Sequence, residues 1–387
     1  MPTGSATHFV NDVNSCWVST AKSALLKGAS SIVYKCLRKG RTEWACKILK
    51  KNILEKKLVQ KEISRLLKLK HPNIVQLRDV FETEDELQLI LELANGGELF
   101  ERIVSRGYFT EDDAAQAVRH VLNALQYLHS NGIVHRGLKP ENILYQSESE
   151  SSLLKLGDFG VNMFFSSEGL ANSRAFGLYA PEILQNKECD SSIDLWSLGV
   201  ITYIMLCGFE PFLDDNNQGD LYERVIEGDW SFPSPWWDDV SDSAKELISR
   251  LLSVDPKSRP TAAEALNHPW ILGISTSSLN MNETLLRLKE FNARRRFRVA
   301  TTAVIATRRA LSYLPTSKSK DKEDKTVSGS STDSSADGTA FEDMAAPQVD
   351  SMEKHSVEGR TIEEKASSNL VTDLSAQYKD GYAADLR

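Results

Sequence analysis

The stretch IVHRGLKPENIL, residues 133–144, decides the fold. It lies between a long segment with helical periodicity and a short apolar segment typical of a strand. Arg136, Lys139 and Asn142 fall within seven residues of one another. These residue types suit a phosphate site, because a cation stabilises transferred charge and an amide oxygen can hold a metal ion. The stretch therefore predicts a loop that binds phosphate and metal.

Composition sets the broad class of the protein. The chain has 387 residues, enough for two domains and a tail, with 41% hydrophobic and 26% charged residues. The net charge of −8 argues against nucleic acid as a partner. The five cysteines are scattered, which indicates a reducing compartment without disulfides or zinc. Neither a signal peptide nor a membrane span is visible, so we expect a soluble intracellular protein.

The first part of the chain predicts a small β-rich lobe with one helix. Four segments have strand-like apolar patterns: 25–37, 44–49, 75–81 and 87–93. Apolar residues at helical spacing predict a helix over 54–69. Lys47 lies in an apolar strand and Glu62 faces inward on that helix, so the two buried charges can neutralise each other. We expect residues 1–20, which are small and polar, to be flexible, and the lobe to end near Ala94.

Beyond Ala94 the pattern becomes helical. Thr110, followed by three acidic residues, predicts the N-cap of a helix that ends at Gly132. Further segments with helical character follow the stretch 133–144: 192–207, 219–227, 241–252 and 261–266. The order of elements predicts an α+β protein of two lobes.

The motifs resemble those of protein kinases, whose catalytic loop reads H-R-D-L-x-x-x-N and is followed by D-F-G and A-P-E. Here Asp158 begins DFG 16 residues after Asn142, and Glu182 ends APE 22 residues after Gly160. Five longer strings are similar to calcium/calmodulin-dependent protein kinases, and within that family to its type IV members: LELANGGELFERIV, GIVHRGLKPENILY, LCGFEPF, SPWWDDVS and LKEFNARRRFR. The resemblance covers roughly residues 25–311.

This resemblance implies a bilobal α+β protein kinase fold with defined boundaries. A flexible N-terminus at 1–20 would precede a small β-rich N-lobe at 21–94 and a large helical C-lobe at 95–272. An autoinhibitory and calmodulin-binding helix would occupy 280–312, followed by a disordered, acidic and Ser-rich tail at 313–387.

The resemblance also implies roles for individual residues. The residues expected to contact ATP are Gly28, Val33, Lys47, Glu62, Glu92 and Leu93. Asn142 and Asp158 would hold Mg²⁺, and Lys139 would act in catalysis. Glu98 and Glu141 match acids that meet a basic residue upstream of the target Ser or Thr, although both could be ordinary surface acids.

Two further pairings follow from the family pattern. Arg259 would pair with Glu182, and Asp194 would brace the backbone of the catalytic loop. A helix cap is the alternative reading of Asp194.

The family pattern fails at three places: the base position of the catalytic loop, the glycine-rich loop and the activation segment. Gly137 replaces the Asp that acts as general base, whose contribution to rate is about 10²–10⁴-fold. Of the glycine-rich loop only Gly28 survives. In the activation segment the two threonines of the family fall at Ala171 or its neighbour and at Ala175. Arg136 then lacks a phosphate partner unless a serine substitutes: Ser166, Ser167 or Ser173. Joint loss predicts that phosphoryl transfer is lost or strongly reduced.

Residues 284–311 are basic and amphipathic, with Phe297, Val304 and Leu311 recurring every seven residues. Such a helix is typical of a calmodulin target or a membrane surface. We expect Arg295 and Arg296 to join these three anchors in binding calmodulin. A nuclear-import or nucleic-acid run and a solvated face remain alternatives. In the family such a segment folds back over the substrate groove until calcium-loaded calmodulin removes it.

The sequence thus predicts a calcium/calmodulin-responsive signalling protein that binds ATP and Mg²⁺, meets calcium only through calmodulin, and transfers phosphate poorly or not at all. The alternative is a slow, active Ser/Thr kinase that phosphorylates sites with an upstream basic residue. A purely structural protein that ignores nucleotide fits less well, because Lys47, Asn142 and Asp158 persist. Calmodulin and protein substrates or signalling partners are expected, without membrane or nucleic acid, in the cytoplasm, the nucleus or both.

Overall fold

The computed structural model describes residues 17–19, 26–27, 31–38, 43–50, 63–158, 176–212 and 221–312. All of them belong to one compact unit, Met1–Thr316. Two lobes are present, one built on a β-sheet and one on helices, which confirms the bilobal α+β fold expected from the sequence.

The small lobe is an antiparallel sheet of six strands in the order β1-β3-β4-β6-β5, with β2 beside β3. Its strands are β1 (Trp17–Ser19), β2 (Leu26–Lys27), β3 (Ser31–Arg38), β4 (Glu43–Lys50), β5 (Leu77–Glu82) and β6 (Glu86–Glu92). Apolar residues on β4 and β6, such as Leu49 and Leu89, are buried beneath the sheet. The register places Lys47 opposite Val33 on one side and Leu89 on the other. β1 lies within residues 1–20, the stretch for which flexibility is predicted from the sequence.

The large lobe contains the helices and a two-stranded sheet of β7 (Ile143–Tyr145) and β8 (Leu154–Leu156). Its helices are α1 (Leu99–Arg106), α2 (Glu111–Ser130), α3 (Pro181–Leu184), α4 (Ser192–Cys207), α5 (Leu221–Glu227), α6 (Asp242–Leu251), α7 (Ala262–Leu266) and α8 (Asn282–Ser312). Thr110 caps α2 through a reciprocal capping box with Asp113, as the sequence predicts. α4 is buried around its whole circumference, which is why it carries almost no polar face.

A buried fork of hydrogen bonds closes the large lobe. The Arg259 guanidinium donates to Glu182 through Nη1–Oε1 at 2.6 Å and Nη2–Oε2 at 2.8 Å. Arg259 also donates to the Ser253 carbonyl and stacks over the Trp196 ring at 5.0 Å. The predicted pairing of Arg259 with Glu182 is confirmed, in the bidentate geometry that Arg and carboxylate favour.

The first half of α8 is anchored on the large lobe by apolar and polar contacts. Phe291 packs edge-on against Phe100 with ring centroids 5.7 Å apart. Thr284 Oγ1 donates to the Leu206 carbonyl, and Arg287 Nε donates to the Cys207 carbonyl. A Cβ at Gly208 would lie 2.4 Å from the Arg287 Cβ, so this close approach needs glycine.

No helix in the described ranges is both long enough and apolar enough to cross a membrane.

We expect Arg259→Met to lower the free energy of unfolding by about 3–5 kcal/mol, because it leaves the Glu182 carboxylate buried and unpaired. Urea denaturation followed by tryptophan fluorescence measures the change. Lys245→Met, which removes only a 3.8 Å contact to the exposed Asp242, is the control and should leave the urea midpoint nearly unchanged. A loss below about 1 kcal/mol for Arg259→Met would contradict the role given to this fork.

Candidate active site

Lys47 on β4 and Asp158 after β8 meet between the lobes. Lys47 Nζ lies 2.7 Å from Asp158 Oδ1, and the Lys47 side chain is buried. Burial acts to raise the pKa of the Asp158 carboxyl, but Lys47, helped by Lys139, outweighs it and lowers that pKa. Asp158 is therefore ionised at neutral pH. The partner expected for Lys47, Glu62, lies outside the described residues, as does Gly28.

Asp194 holds in place the loop of residues 133–144, which we call the catalytic-type loop. Its carboxylate accepts hydrogen bonds from the backbone N–H of His135 at 2.8 Å and of Arg136 at 2.9 Å. The same carboxylate lies 2.8 Å from Nε2 of His129 at the end of α2. Asp194 is 1% exposed. The predicted bracing role is confirmed, and Asp194 is not the cap of its helix, since that position belongs to Ser191.

His135 and Asn142 fix the backbone of Gly137 from both sides. Gly137 N–H donates to His135 Nδ1 at 3.2 Å, and its carbonyl accepts from Asn142 Nδ2 at 2.9 Å. His135 Nε2 lies 2.9 Å from the Gly157 carbonyl. Burial lowers the pKa of His135, which favours a neutral ring that donates at Nε2 and accepts at Nδ1. Gly137 thus keeps an ordered backbone although it has no side chain to offer.

Backbone strain is concentrated at the same place. Arg136 has φ 61° and Asp158 has φ 60°, in the left-handed region that residues with a Cβ rarely adopt. Asn186 is the third such residue in the described part of the chain. Strain of this kind persists only where surrounding contacts enforce it, and it clusters at functional sites.

The donor set around Asp158 suits Mg²⁺. Asn142 uses its amide nitrogen on Gly137, which leaves the amide oxygen as a possible ligand. Asp158 supplies an ionised carboxylate, and the Asn142 carbonyl accepts from Gly157 N–H at 2.8 Å, which keeps the two residues together. Mg²⁺ prefers one or two such oxygens together with phosphate and water. Clusters of three or more His, Cys, Asp or Glu that could hold a metal by themselves are absent from the described ranges.

The segment after β6 joins the two lobes. Glu92 ends β6 and Leu93 follows it, and both are partly exposed, as is Val33 on β3. Lys139 is exposed next to Gly137. The nucleotide-site residues predicted at 33, 47, 92, 93, 139, 142 and 158 thus all lie in the described part of the chain, at the edges where sheet, linker and loop meet.

Arg295 of α8 lies against both acids that the family pattern links to substrate. It is hydrogen-bonded to Glu98 and lies 3.7 Å from Glu141 through Nη1–Oε2. Arg295 is 8% exposed, and its Nη1 is buried without a hydrogen-bond partner. Burial raises the pKa of Glu98, and the opposing attraction of Arg295 does not offset it. Because Glu98 loses hydration when it is buried, its ion pair with Arg295 contributes little net free energy to the docking of α8.

Two further arginines of α8 reach acids that sequence reasoning missed. Arg296 pairs with Glu101, and Arg298 Nη2 lies 3.1 Å from Glu210 Oε1. The Phe297 ring between them is 60% exposed. In the sequence, Glu101 and Glu210 lie in largely apolar strings. That pattern is too weak to identify them as partners of α8. Val304 and Leu311 lie in α8, but their side chains are outside the described set.

The activation segment predicted between DFG and APE lies almost wholly outside the described residues. Residues 159–175, which include the serines proposed as partners of Arg136, lie outside the described residues.

Comparison with known proteins gives a consistent result. The family model described as "Protein kinase domain" matches residues 20–271. Calcium/calmodulin-dependent protein kinase type IV of Rattus norvegicus and of Homo sapiens are each 47% identical over 291 residues, covering 74% of this chain and 61% of the relative. The type 1 kinase of Macrobrachium nipponense is 44% identical over 267 residues, covering 67% of this chain and 77% of the relative. The chain therefore spans about three-fifths of the type IV relatives.

The Lys47–Asp158 pair gives a testable pH dependence. Because the pKa of Asp158 is lowered in the folded protein, its stabilisation is present above the unfolded value of about 3.9 and is lost as pH falls through the folded value. Asp158→Asn should therefore destabilise the protein at pH 7 and lose that effect in acid. In a Lys47→Met background, where the largest opposing charge is gone, Asp158→Asn should destabilise much less at pH 7. Urea unfolding of the four proteins from pH 7 to 3 measures this, and equal effects in both backgrounds would contradict the pairing.

Proposed function

Since the chain belongs to the protein kinase family, with calcium/calmodulin-dependent kinases of types IV and 1 among its relatives, we propose that it is a calcium/calmodulin-responsive signalling protein that binds ATP with Mg²⁺ and has lost most or all phosphoryl transfer. The observation that carries this proposal is Gly137. It stands where the family places the catalytic Asp, within a loop whose other anchors are intact.

The retained groups support nucleotide binding. Lys47 is a buried cation beside the ionised Asp158, and Asn142 is hydrogen-bonded to Gly137 and to Gly157, the residue before Asp158. Mg²⁺ would bridge phosphate oxygens and neutralise their charge. In the protein alone, the Lys47 ammonium supplies the positive charge that Asp158 needs. Both groups are thereby kept ready for a ligand that carries phosphate and metal together.

Proton removal from an incoming hydroxyl lacks its usual acceptor. Gly137 has no side chain, and its carbonyl is already bonded to Asn142. Asp194 cannot replace the base, because it is buried and both of its carboxylate oxygens accept hydrogen bonds from the loop backbone. Phosphoryl transfer depends mainly on positioning and charge, so loss of the base reduces the rate without removing the site.

The contacts of α8 support control by calmodulin. Arg295 occupies the acids Glu98 and Glu141, where a basic residue of a protein partner would bind. Desolvation of Glu98 keeps the net gain of this contact small, so a competing partner can displace it. Calcium-loaded calmodulin, which binds basic amphipathic helices, would engage the exposed Phe297 and free the acids. Val304 and Leu311 are the further anchors of this proposal.

Partners and place in the cell follow from the same reading. We infer protein substrates or signalling partners with an arginine that fits Glu98 and Glu141, and a location in the cytoplasm, the nucleus or both. The proposal also divides the chain into an N-lobe at 21–94, a C-lobe at 95–272 and a regulatory segment at 280–312.

Transfer of the γ-phosphate to an arginine-containing peptide, with Mg²⁺ and calcium-calmodulin, tests the loss of the base. We expect the wild type to be at least about 10²-fold slower than Gly137→Asp, because a positioned base contributes that much. Gly137→Asn, which adds the same shape without a base, is the matched control and should stay slow. Wild-type activity within tenfold of Gly137→Asp, at similar ATP affinity, would contradict the proposal.

Binding of the same peptide tests the control by α8. The wild type should bind it weakly alone and about tenfold or more tightly with calcium-calmodulin. Arg295→Ala should bind it tightly without calmodulin, because Glu98 and Glu141 are no longer occupied. Phe297→Asp should lose the response to calmodulin.

Leu286→Asp is the control for Phe297→Asp, since both side chains are 60% exposed on α8. It should behave as the wild type. If Phe297→Asp responds normally, or if Arg295→Ala still needs calmodulin, the roles given to these residues are wrong. Fluorescence anisotropy of a labelled peptide gives the dissociation constants.

A further inference from the structure

Lys155 forms a buried ion pair with Glu92 that the kinase motifs do not include. Its ammonium lies 2.9 Å from the Glu92 carboxylate, and the two side chains are 6% and 22% exposed. Two more donors converge on the same carboxylate: Gln146 Nε2 at 3.2 Å and the backbone N–H of Gln76 at 3.2 Å. Glu92 is therefore held by residues from three separate segments.

The two partners of this pair belong to different elements of the proposed nucleotide site. Glu92 is the last residue of β6 and begins the linker between the lobes. Lys155 is the middle residue of β8, three residues before Asp158. The pair thus ties the linker to the strand that delivers Asp158. The linker is fastened further along by Asn95 N–H to the Gln146 carbonyl and by Gly96 N–H to the Tyr145 carbonyl.

Burying the Lys155 ammonium in a short apolar strand costs desolvation free energy. β8 reads Leu-Lys-Leu with all three residues buried, where methionine or leucine would fill the space without desolvating a charge. An apolar pair would also leave the linker free to slide, because apolar contacts have no preferred direction. A charged pair with two supporting hydrogen bonds fixes one position of the Glu92 carboxylate and so of the adjoining backbone.

We propose that Lys155 is a positioning residue for nucleotide binding, which holds the linker at a fixed distance from Asp158 through Glu92. The proposal rests on the ATP site proposed above. The backbone of Lys155 pairs with Leu144, and its ammonium bonds to Glu92, whereas no described contact joins it to Lys47 or Asp158. We therefore expect its side chain to act on the site through Glu92.

Hydrogen–deuterium exchange of the full-length protein without nucleotide tests the positioning directly. We expect the amides of residues 93–97 to exchange about tenfold faster in Lys155→Met, because the linker loses its fixed partner. Lys155→Arg, which keeps the charge, should stay within about twofold of the wild type. Lys35→Met is the control, since it removes the half-exposed Lys35–Glu43 pair at 2.6 Å in the small lobe, and it should change nothing.

The double variant Lys155→Met with Glu92→Gln separates positioning from an unpaired buried charge. If Lys155 positions the linker, the double variant should exchange as fast as Lys155→Met. If it returns to the wild-type rate, the effect came from the stranded Glu92 carboxylate and the proposal is overturned. Faster exchange in α2 as well as in the linker would show general destabilisation and would overturn it too.

Affinity for ATP with Mg²⁺ provides the second readout. Lys155→Met and the double variant should bind about tenfold more weakly, and Lys155→Arg and Lys35→Met should bind as the wild type does. A wild type that fails to bind millimolar ATP would reject the proposed function. Normal exchange at residues 93–97 in folded Lys155→Met, or unchanged ATP affinity, would reject the positioning role alone.

Discussion

The carboxylate of Asp194 is the constraint on which the rest of the site depends. It is buried, and it accepts two backbone hydrogen bonds from the loop and lies beside His129 of α2. A buried carboxylate is tolerated only when such donors surround it, so the loop cannot leave without exposing an unpaired charge. This requirement holds Arg136 in a left-handed conformation that it would otherwise avoid. The strain at the loop is therefore maintained by the helix beneath it.

Gly137 shows that holding the loop and performing chemistry are separate tasks. The order of the loop comes from backbone groups and from His135, Asn142 and Asp194, none of which needs a side chain at position 137. A glycine usually loosens a loop, because it lacks a Cβ that restricts the backbone. The hydrogen bonds on both sides of its peptide group compensate for that freedom. The loop thus keeps an ordered backbone without a side chain at position 137.

The sequence was most informative where residue type and spacing together define a partner. The pairing of Arg259 with Glu182 and the bracing by Asp194 were both predictable, because the family motifs specify them. Periodicity predicted most helices and strands, but β1 is too short to show alternation. The pairing of Lys155 with Glu92 joins residues 63 positions apart, and no local pattern distinguishes it from two ordinary surface charges. Such contacts depend on topology, which single-sequence patterns do not determine.

The described part of α8 is held on the large lobe by two kinds of contact. Leu285, Leu288 and Phe291 are buried, so the first half is held by apolar area that salt does not screen. Residues 295–298 contact the lobe through arginine–glutamate pairs, of which that of Arg295 is largely buried and those of Arg296 and Arg298 are more than half exposed. Exposed pairs contribute little free energy and are easily exchanged for pairs with another acidic partner. Loss of the two exposed pairs would leave the apolar contacts of Leu285, Leu288 and Phe291 in place, so it needs no unfolding of the lobe below them.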